Sequence, residues 1–324
     1  MAATLRIPDA EFAEIWRRLG SADLVSKATG MNVRNTYRAR LRAEAALGIV
    51  LPVHDSKSDR SGRAKIDLDR IGHRRLMEVK DGMAVIFSDA HFWPGDDSEA
   101  FNAMIRFIKA NKKSIKLIVC NGDAFDGAAI SRHAPSEWAQ LPDVADELEE
   151  CKGKLGQIEK IAPDGVPLVW CMGNHDTRFS ARLAQMAPQY VKVFGTDLPD
   201  HFPSWDHCWS LEINGHTMVK HRWHNGVHAT WNNALKGGRN IFTGHIHRLA
   251  VTPITDWNGR RYGVDTGTLS DFGPEVNKFT YGEDNPYNWA SGFAVATFDE
   301  DGMLLPPELV TVINNKAYWR GKPL

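Results

Sequence analysis

Cysteine is scarce in this chain: Cys120, Cys151, Cys171 and Cys208 are the only four among 324 residues, and no two share a Cys-x-x-Cys spacing. That argues against a disulfide framework. Cys120 and Cys171 sit inside the apolar runs Leu117–Cys120 and Leu168–Cys171, where a buried free thiol is the simplest reading and a reducing cytoplasm fits. Net charge is also lacking, at -1 with 24% charged residues, so the chain as a whole is neither a polyanion-coating basic protein nor an acidic one. No long uncharged apolar stretch is present and the N-terminus lacks a basic-then-apolar signal pattern, which points to a protein without a membrane partner. Internal repeats and low-complexity tracts are absent as well.

What is present begins with helical signals. Pro8 to Leu19 carries Phe12, Ile15, Trp16 and Leu19 on one face and stops at Gly20. Ser21 can cap a second helix, Ala22 to Thr29, which Gly30 ends, and Asn32 can cap a third from Val33 to about Leu47. A short helix, a glycine turn and a longer helix make a helix-turn-helix pattern. The last helix carries Arg34, Asn35, Tyr37, Arg38, Arg40 and Arg42 against the single acid Glu44. Those side chains suit DNA phosphates and base edges; a small bundle with a solvated arginine face is the alternative. The organisation expected is a helical module over 1–50, a polar linker or entry segment over 51–80, and a main domain over 81–324.

The main domain reads as α/β. Short apolar runs at Met83–Ser88, Ile115–Cys120 and Pro167–Met172 alternate with helical stretches at Ser98–Asn111 and Asp143–Ile161. Polar residues gather directly behind the runs, where such sheets place ligands. Cys208–Ile213 and His216–Lys220 read as two strands joined at Asn214-Gly215. A helix from about Val227 to Lys236 and a strand at Asn240–Thr243 follow. Shorter strands near Val251 and Val264 and a longer one at Phe293–Phe298 are expected to complete a second sheet.

Behind these runs stand Asp89-Ala90-His91, Gly122-Asp123 with Asp126 three residues on, Gly173-Asn174-His175-Asp176, His221, and Gly244-His245-Ile246-His247. Imidazole and carboxylate donors in this quantity suit paired transition-metal ions. The ordered series resembles the calcineurin-like metallophosphoesterase superfamily over roughly 84–298. The resemblance implies a four-layer sandwich, two β-sheets flanked by helices. It implies two divalent metals about 3.5–4 Å apart, manganese first, with iron or zinc as alternatives. Asp89, His91 and His247 would hold one metal, Asn174, His221 and His245 the other, and Asp123 would bridge them. A shared water, made hydroxide by the metals, would attack phosphorus in line. His175 would protonate the leaving oxygen, with Asp176 orienting its imidazole.

Some positions stay open at this point. His224 competes with His221 as ligand, and His133 is either a phosphate contact or a surface residue. Arg178 and Arg248, each just behind a motif, either touch substrate phosphate or face solvent. The phosphoprotein phosphatases of the superfamily continue the second motif with Arg-Gly, and the double-strand-break repair nucleases place a His where Asp126 stands. Gly127-Ala128 and Asp126 depart from both, and Asp126 reads as structural. The region Val264–Asp271, with Trp289–Asp299, resembles phage and prophage members, which implies action in a host cytoplasm. Tyr281, Tyr287 and Trp289 would lie in a loop near the active face. The function expected is a metal-dependent phosphodiesterase or nuclease acting on DNA. The alternatives are a small-nucleotide phosphatase or phosphodiesterase whose module serves homo-oligomerisation, and a DNA-binding regulator with a vestigial site.

Overall fold

The computed structural model describes residues 7–51, 72–132, 141–271 and 288–324. It separates into two compact units, Met1–Ile66 and Asp67–Leu324. His133, Tyr281, Tyr287 and most of the expected linker lie outside the described residues.

The first unit consists of helices α1 (Asp9–Leu19), α2 (Ala22–Thr29) and α3 (Val33–Leu47). Its boundaries follow local chemistry. Ser21 accepts from the Leu24 amide and Asn32 from the Asn35 amide, while Gly20, Gly30 and Gly48 close the helices in the left-handed conformation. Phe12, Trp16, Val25, Ala39, Ala43 and Leu51 form a small core. Two arginines of α3 serve that bundle. Arg42 donates to Asp9 at 2.6 Å and to the Ile7 carbonyl at 3.1 Å. Arg40 pairs with Glu44 at 3.0 Å and lies 5.3 Å above the Trp16 ring. Arg34, Tyr37 and Arg38 remain exposed, and Asn35 is half-buried.

The second unit is built on two sheets. In the larger, β2 (Gly82–Phe87), β3 (Ile115–Cys120), β4 (Leu168–Cys171) and β5 (Asp206–Cys208) run parallel, with β11 (Gly292–Phe298) antiparallel beside β2. β12 (Glu308–Ile313), β13 (Lys316–Trp319) and β14 (Lys322–Pro323) extend it beyond β11. The smaller sheet orders β1 (Arg75–Met77), β6 (Leu211–Ile213), β7 (Thr217–Val219), β8 (Asn240–Thr243), β10 (Gly259–Thr266) and β9 (Leu249–Asp256).

Alternation within the buried strands assigns each side chain to a layer. Val85 and Phe87 join the core under α4 (Glu99–Ala110) and α5 (Val144–Ile161), with Phe101, Phe107, Leu155 and Ile158. Ala84 and Ile86 point the other way, into a core between the sheets with Leu117, Val169, Leu211, Phe242 and Val264. Each fully buried side chain of this kind contributes about 1.5–3 kcal/mol. Helix α7 (Ala229–Gly237) covers the outer face of the smaller sheet. It lies so close that a Cβ on Gly263 would meet the Thr230 carbonyl oxygen at 1.9 Å. The result is the expected four-layer arrangement.

Three details differ from expectation. The run Cys208–Ile213 is two strands: β5 completes the larger sheet and β6 enters the smaller, with Trp209 and Ser210 crossing between them. Phe293–Phe298 belongs to the larger sheet, because its register pairs it with β2. The strands near Val251 and Val264 are a single long hairpin of eight residues each. Helix α6 (Arg178–Met186) follows the Gly173–Asp176 motif directly.

Candidate metal centre

Every candidate ligand sits just past the C-terminal end of a strand: Asp89 and His91 behind β2, Asp123 behind β3, Asn174 behind β4, His221 behind β7, His245 and His247 behind β8. Among the described residues, three overlapping groups could each hold a metal ion. They are Asp89, His91 and His247; His91, Asp123 and His175; and Asp123, His221 and His245. His247 Nε2 lies 3.3 Å from Asp89 Oδ1 and 3.2 Å from His91 Nε2. His221 Nε2 lies 3.0 Å from Asp123 Oδ2. Of the two competing histidines, His221 is in the cluster, whereas His224 stacks on Trp223 and gives its amide to Asn233.

Five of these residues have left-handed backbones: Asp89 (φ 52°), His91 (φ 41°), Asp123 (φ 55°), His245 (φ 73°) and His247 (φ 55°). Side chains other than glycine pay about 1–3 kcal/mol each for that conformation, and such outliers gather at functional sites. The turns are held by the site itself. Asp89 accepts the His245 amide on both oxygens, at 2.8 and 3.1 Å, and Asp123 Oδ1 accepts the His175 amide at 2.7 Å. Gly173 has no space for a side chain, since a Cβ there would lie 2.1 Å from Asp123 Oδ1.

The electrostatics call for a cation. His221 Nδ1 bonds the Asn121 carbonyl at 2.7 Å, so that nitrogen carries a hydrogen and Nε2 faces two carboxylates. Against its burial, Asp123 and Asp89 push the His221 pKa up to about 10. Burial raises Asp123 and Asp89, but the neighbouring histidines overcome it and hold both carboxyls below their ordinary range. Burial and the His221 charge press His245 down to about 4, so it offers an unprotonated imidazole. Asn174 Oδ1 is buried without a hydrogen-bond partner, an orphaned acceptor that a metal ion would satisfy. With imidazole, carboxylate and amide oxygen donors together, the residues present fit divalent transition metals.

His175 stands beside this cluster, its ring 4.5 Å from that of His91. Its Nδ1 lies 2.8 Å from Asp126 Oδ1, and the same oxygen lies 2.9 Å from His91 Nδ1. Asp126 is therefore the partner of His175, and the expectation that Asp176 orients that ring is corrected. The Asp176 carboxylate faces elsewhere. It accepts the amides of Gly173 (2.7 Å), Asp123 (2.9 Å) and Phe125 (3.1 Å) and the Trp170 indole N–H (3.0 Å), tying two loops together. Burial and the Asp123 charge push Asp176 up to about 6. Burial lowers His175, but Asp126 and Asp123 outweigh it and the net shift is upward.

A family model for calcineurin-like phosphoesterases matches residues 84–292. The chain belongs to that family. This phosphoesterase is 26% identical over 257 residues to the Gene 54 protein of Mycobacterium phage L5, covering 72% of its own length and 94% of the relative's. Among solved structures it aligns with zinc-complexed Vps29 from Entamoeba histolytica at 11% identity and TM-score 0.40, covering 74% of this chain and 98% of that one. An archaeal phosphodiesterase aligns at 13% identity and TM-score 0.35, covering 71% and 99%.

The phosphoesterase puts its two outlying arginines to different uses. Arg178, at the start of α6, bonds the Asp126 carbonyl at 3.0 Å and reaches within 3.0 Å of His175 Nε2. Arg248 takes neither of its two expected roles. Its guanidinium grips buried Asp265 at 2.7 and 3.0 Å and also bonds the Val227 carbonyl. Trp289 packs on His247 at 4.4 Å between ring centroids. Two residues escaped sequence reasoning, Asp126 as a double imidazole partner and Glu147 beneath it. Glu147 is buried, accepts the Ala128 amide at 2.9 Å, and is pushed by burial up to about 7. Helical periodicity signals only that Glu147 falls on the buried side of α5. No helix among the described residues is long and apolar enough to cross a membrane.

Proposed function

We propose that this phosphoesterase is a binuclear-metal-dependent phosphodiesterase that cleaves DNA in the cytoplasm of a host cell. The observation that carries the reading is the convergence, behind strand ends, of Asp89, His91, Asp123, His221, His245 and His247, with the orphaned Asn174 oxygen and the His175 ring beside them. Asp89, His91 and His247 would hold one ion, Asn174, His221 and His245 the other, and Asp123 has two oxygens to share between them. When bound, two divalent cations, manganese in the first instance, acidify a shared water and neutralise charge growing on the phosphoryl oxygens.

The chain's own groups do the rest. Asp126 Oδ1 takes the Nδ1 hydrogens of His91 and His175, which directs both Nε2 atoms toward the site. His175 Nε2 would then give a proton to the departing oxygen, and the carboxylates of Asp126 and Asp123 outweigh burial to favour the protonated ring. Arg178, whose guanidinium can only donate, lies 3.0 Å from the same nitrogen and would turn to a phosphate oxygen when Nε2 carries the proton. The phage relative supports the host-cytoplasm setting.

The N-terminal unit supplies the DNA part of the reading as a helix-turn-helix, through exposed Arg34, Tyr37 and Arg38 and half-buried Asn35. Arg40 and Arg42 act by holding α3 in place. A second reading, a small-nucleotide phosphodiesterase with the module used for homo-oligomerisation, draws support from a cavity of about 340 Å³ beside His91, lined by Trp93, Ser98, Lys154 and Ser270. A vestigial regulator is disfavoured by the complete donor set. The test is incubation of supercoiled plasmid and linear single-stranded DNA with Mn²⁺, alongside Arg34→Gln/Arg38→Gln. Metal-dependent cleavage is expected, and the variant's log K against log salt slope should fall by about one per lost phosphate contact on duplex DNA. Intact DNA with turnover of nucleotides would select the second reading.

A further inference from the structure

Between Glu212 and Asp256 the sequence contains no Asp or Glu, while Lys220, Arg222, Lys236, Arg239 and Arg248 all fall within it. The stretch supplies β7, α7, β8 and all but the last residue of β9, together with His221, His245 and His247 of the metal centre. Arg239 is paired with Glu212 and Arg248 with Asp265. Among the described residues, Lys220, Arg222 and Lys236 form no ion pair, so their charge is uncompensated.

The same stretch exposes large apolar side chains that a surface helix normally buries: Trp223 (38%), Val227 (77%), Trp231 (45%) and Leu235 (45%). Trp231 and Leu235 are spaced four apart on one side of α7, and Val227 lies in the turn that leads into it. Trp223 lies across the end of that helix. A Cβ on Gly237 would meet its ring at 3.1 Å, Lys220 Nζ sits 5.9 Å above the ring, and His224 stacks against it at 5.0 Å. The patch starts at the metal centre. Arg222 and Trp223 directly follow His221, and the Val227 carbonyl is bound by Arg248, which directly follows His247.

We propose that the face built on this acid-free stretch of sequence is a track for single-stranded nucleic acid leading to the metal centre. Bases stack on Trp223 and Trp231, and phosphates meet Lys220, Arg222 and Lys236. Flat aromatic faces interleaved with unpaired cations are what a single strand needs, because every base has a π-face and every linkage a negative charge. A duplex, whose bases are already stacked, gains only the charge contribution. The inference rests on the DNA-cleaving reading above and narrows its substrate to an unpaired strand.

The test uses the full-length, Mn²⁺-loaded His175→Ala protein, so that the probe stays intact, and fluorescence anisotropy of a fluorescein-labelled 20-mer of thymidine. Trp223→Ala and Trp231→Ala are each expected to weaken binding about five- to tenfold, the lower range for loss of one stacked base. Trp231→Phe, which keeps a ring, should stay within about twofold. Lys236→Gln should flatten the salt slope by about 0.7, the single-strand value for one phosphate. Circular dichroism of each variant and light scattering of the parent accompany the titrations. Unchanged affinity in both tryptophan-to-alanine variants overturns the track. So does a dimeric parent that Trp231→Ala makes monomeric, which would assign the face to a second copy of the chain. The parent reading fails separately: a protein that hydrolyses bis(p-nitrophenyl) phosphate yet binds no oligonucleotide is not a nuclease.

Discussion

Replacing Asp126 by Asn should damage catalysis and metal binding together, because one carboxylate oxygen serves two imidazoles. Oδ1 stands 2.8 Å from His175 Nδ1 and 2.9 Å from His91 Nδ1, and Asp126 is itself buried. A hydrogen bond to a charged partner is worth about 1.5–3 kcal/mol. If the His175 bond is expressed mainly in the transition state, its loss lowers kcat about ten- to a hundredfold. The His91 bond lies behind a proposed ligand, where losing such a partner costs about ten- to a hundredfold in metal affinity. The pH dependence has a definite sign. Asp126 and Asp123 outweigh burial and raise the His175 pKa, so the protonated acid persists to higher pH in the native protein. Neutralising Asp126 removes part of that support, and the alkaline limb of kcat moves to lower pH. The assay is turnover of bis(p-nitrophenyl) phosphate from pH 5 to 10 at saturating Mn²⁺, with metal affinity from calorimetry. Asp176→Asn is the comparison. It should lower Tm, because four buried N–H donors lose a matched acceptor, and leave the alkaline limb where it is. An unmoved limb in Asp126→Asn, with a shifted limb in a fully stable Asp176→Asn, would refute the assignment.

Other substitutions probe the scaffold. Gly173→Ala places a methyl 2.1 Å from Asp123 Oδ1, so calorimetry should show loss of metal binding; unchanged stoichiometry would contradict the packing. Arg248→Gln leaves buried Asp265 without its cation, at a cost of about 3–5 kcal/mol. A lower Tm with unaltered KM is expected, whereas a raised KM at unchanged Tm would return Arg248 to the substrate. Burial holds the folded Glu147 pKa near 7, above its ordinary 4.5. Its contribution to stability is therefore present below about pH 4.5 and lost as pH rises through about 7. The Tm of Glu147→Gln should exceed that of the native chain at pH 8 by about 2–4 °C, the shift for about 1 kcal/mol, and the difference should shrink at pH 5. A difference that grows toward acid would refute the account.

The elements legible from sequence were those set by local chemistry. Ser21, Asn32, Ser98 and Asp143 each cap the helix that follows them, and each cap needs only residues two or three positions on. The donor clusters were legible because each follows its own strand. What stayed hidden depends on partners distant in sequence. The Asp126–His175 pair spans 49 residues, and nothing within the Gly173–Asp176 motif indicates that Asp176 turns inward to backbone amides. Arg248 resembled a substrate contact until Asp265, on a neighbouring strand, was seen to bind it. Cys208–Ile213 is apolar enough for one strand, and only the divergence of the two sheets splits it. The left-handed turns at Asp89, His91, Asp123, His245 and His247 leave only a weak mark in residue type, since none is glycine, although Asp and His adopt that conformation more often than most side chains.

The most direct test of the central claim is a Mn²⁺ titration of chelator-treated protein, with bound metal counted by mass spectrometry and bis(p-nitrophenyl) phosphate turnover followed at each step. Two ions per chain are expected, with activity that saturates at the second equivalent and a His175→Ala variant that binds both ions but turns over far more slowly. Turnover that survives chelation, or a chain that takes up no more than one ion at saturation, would contradict that claim.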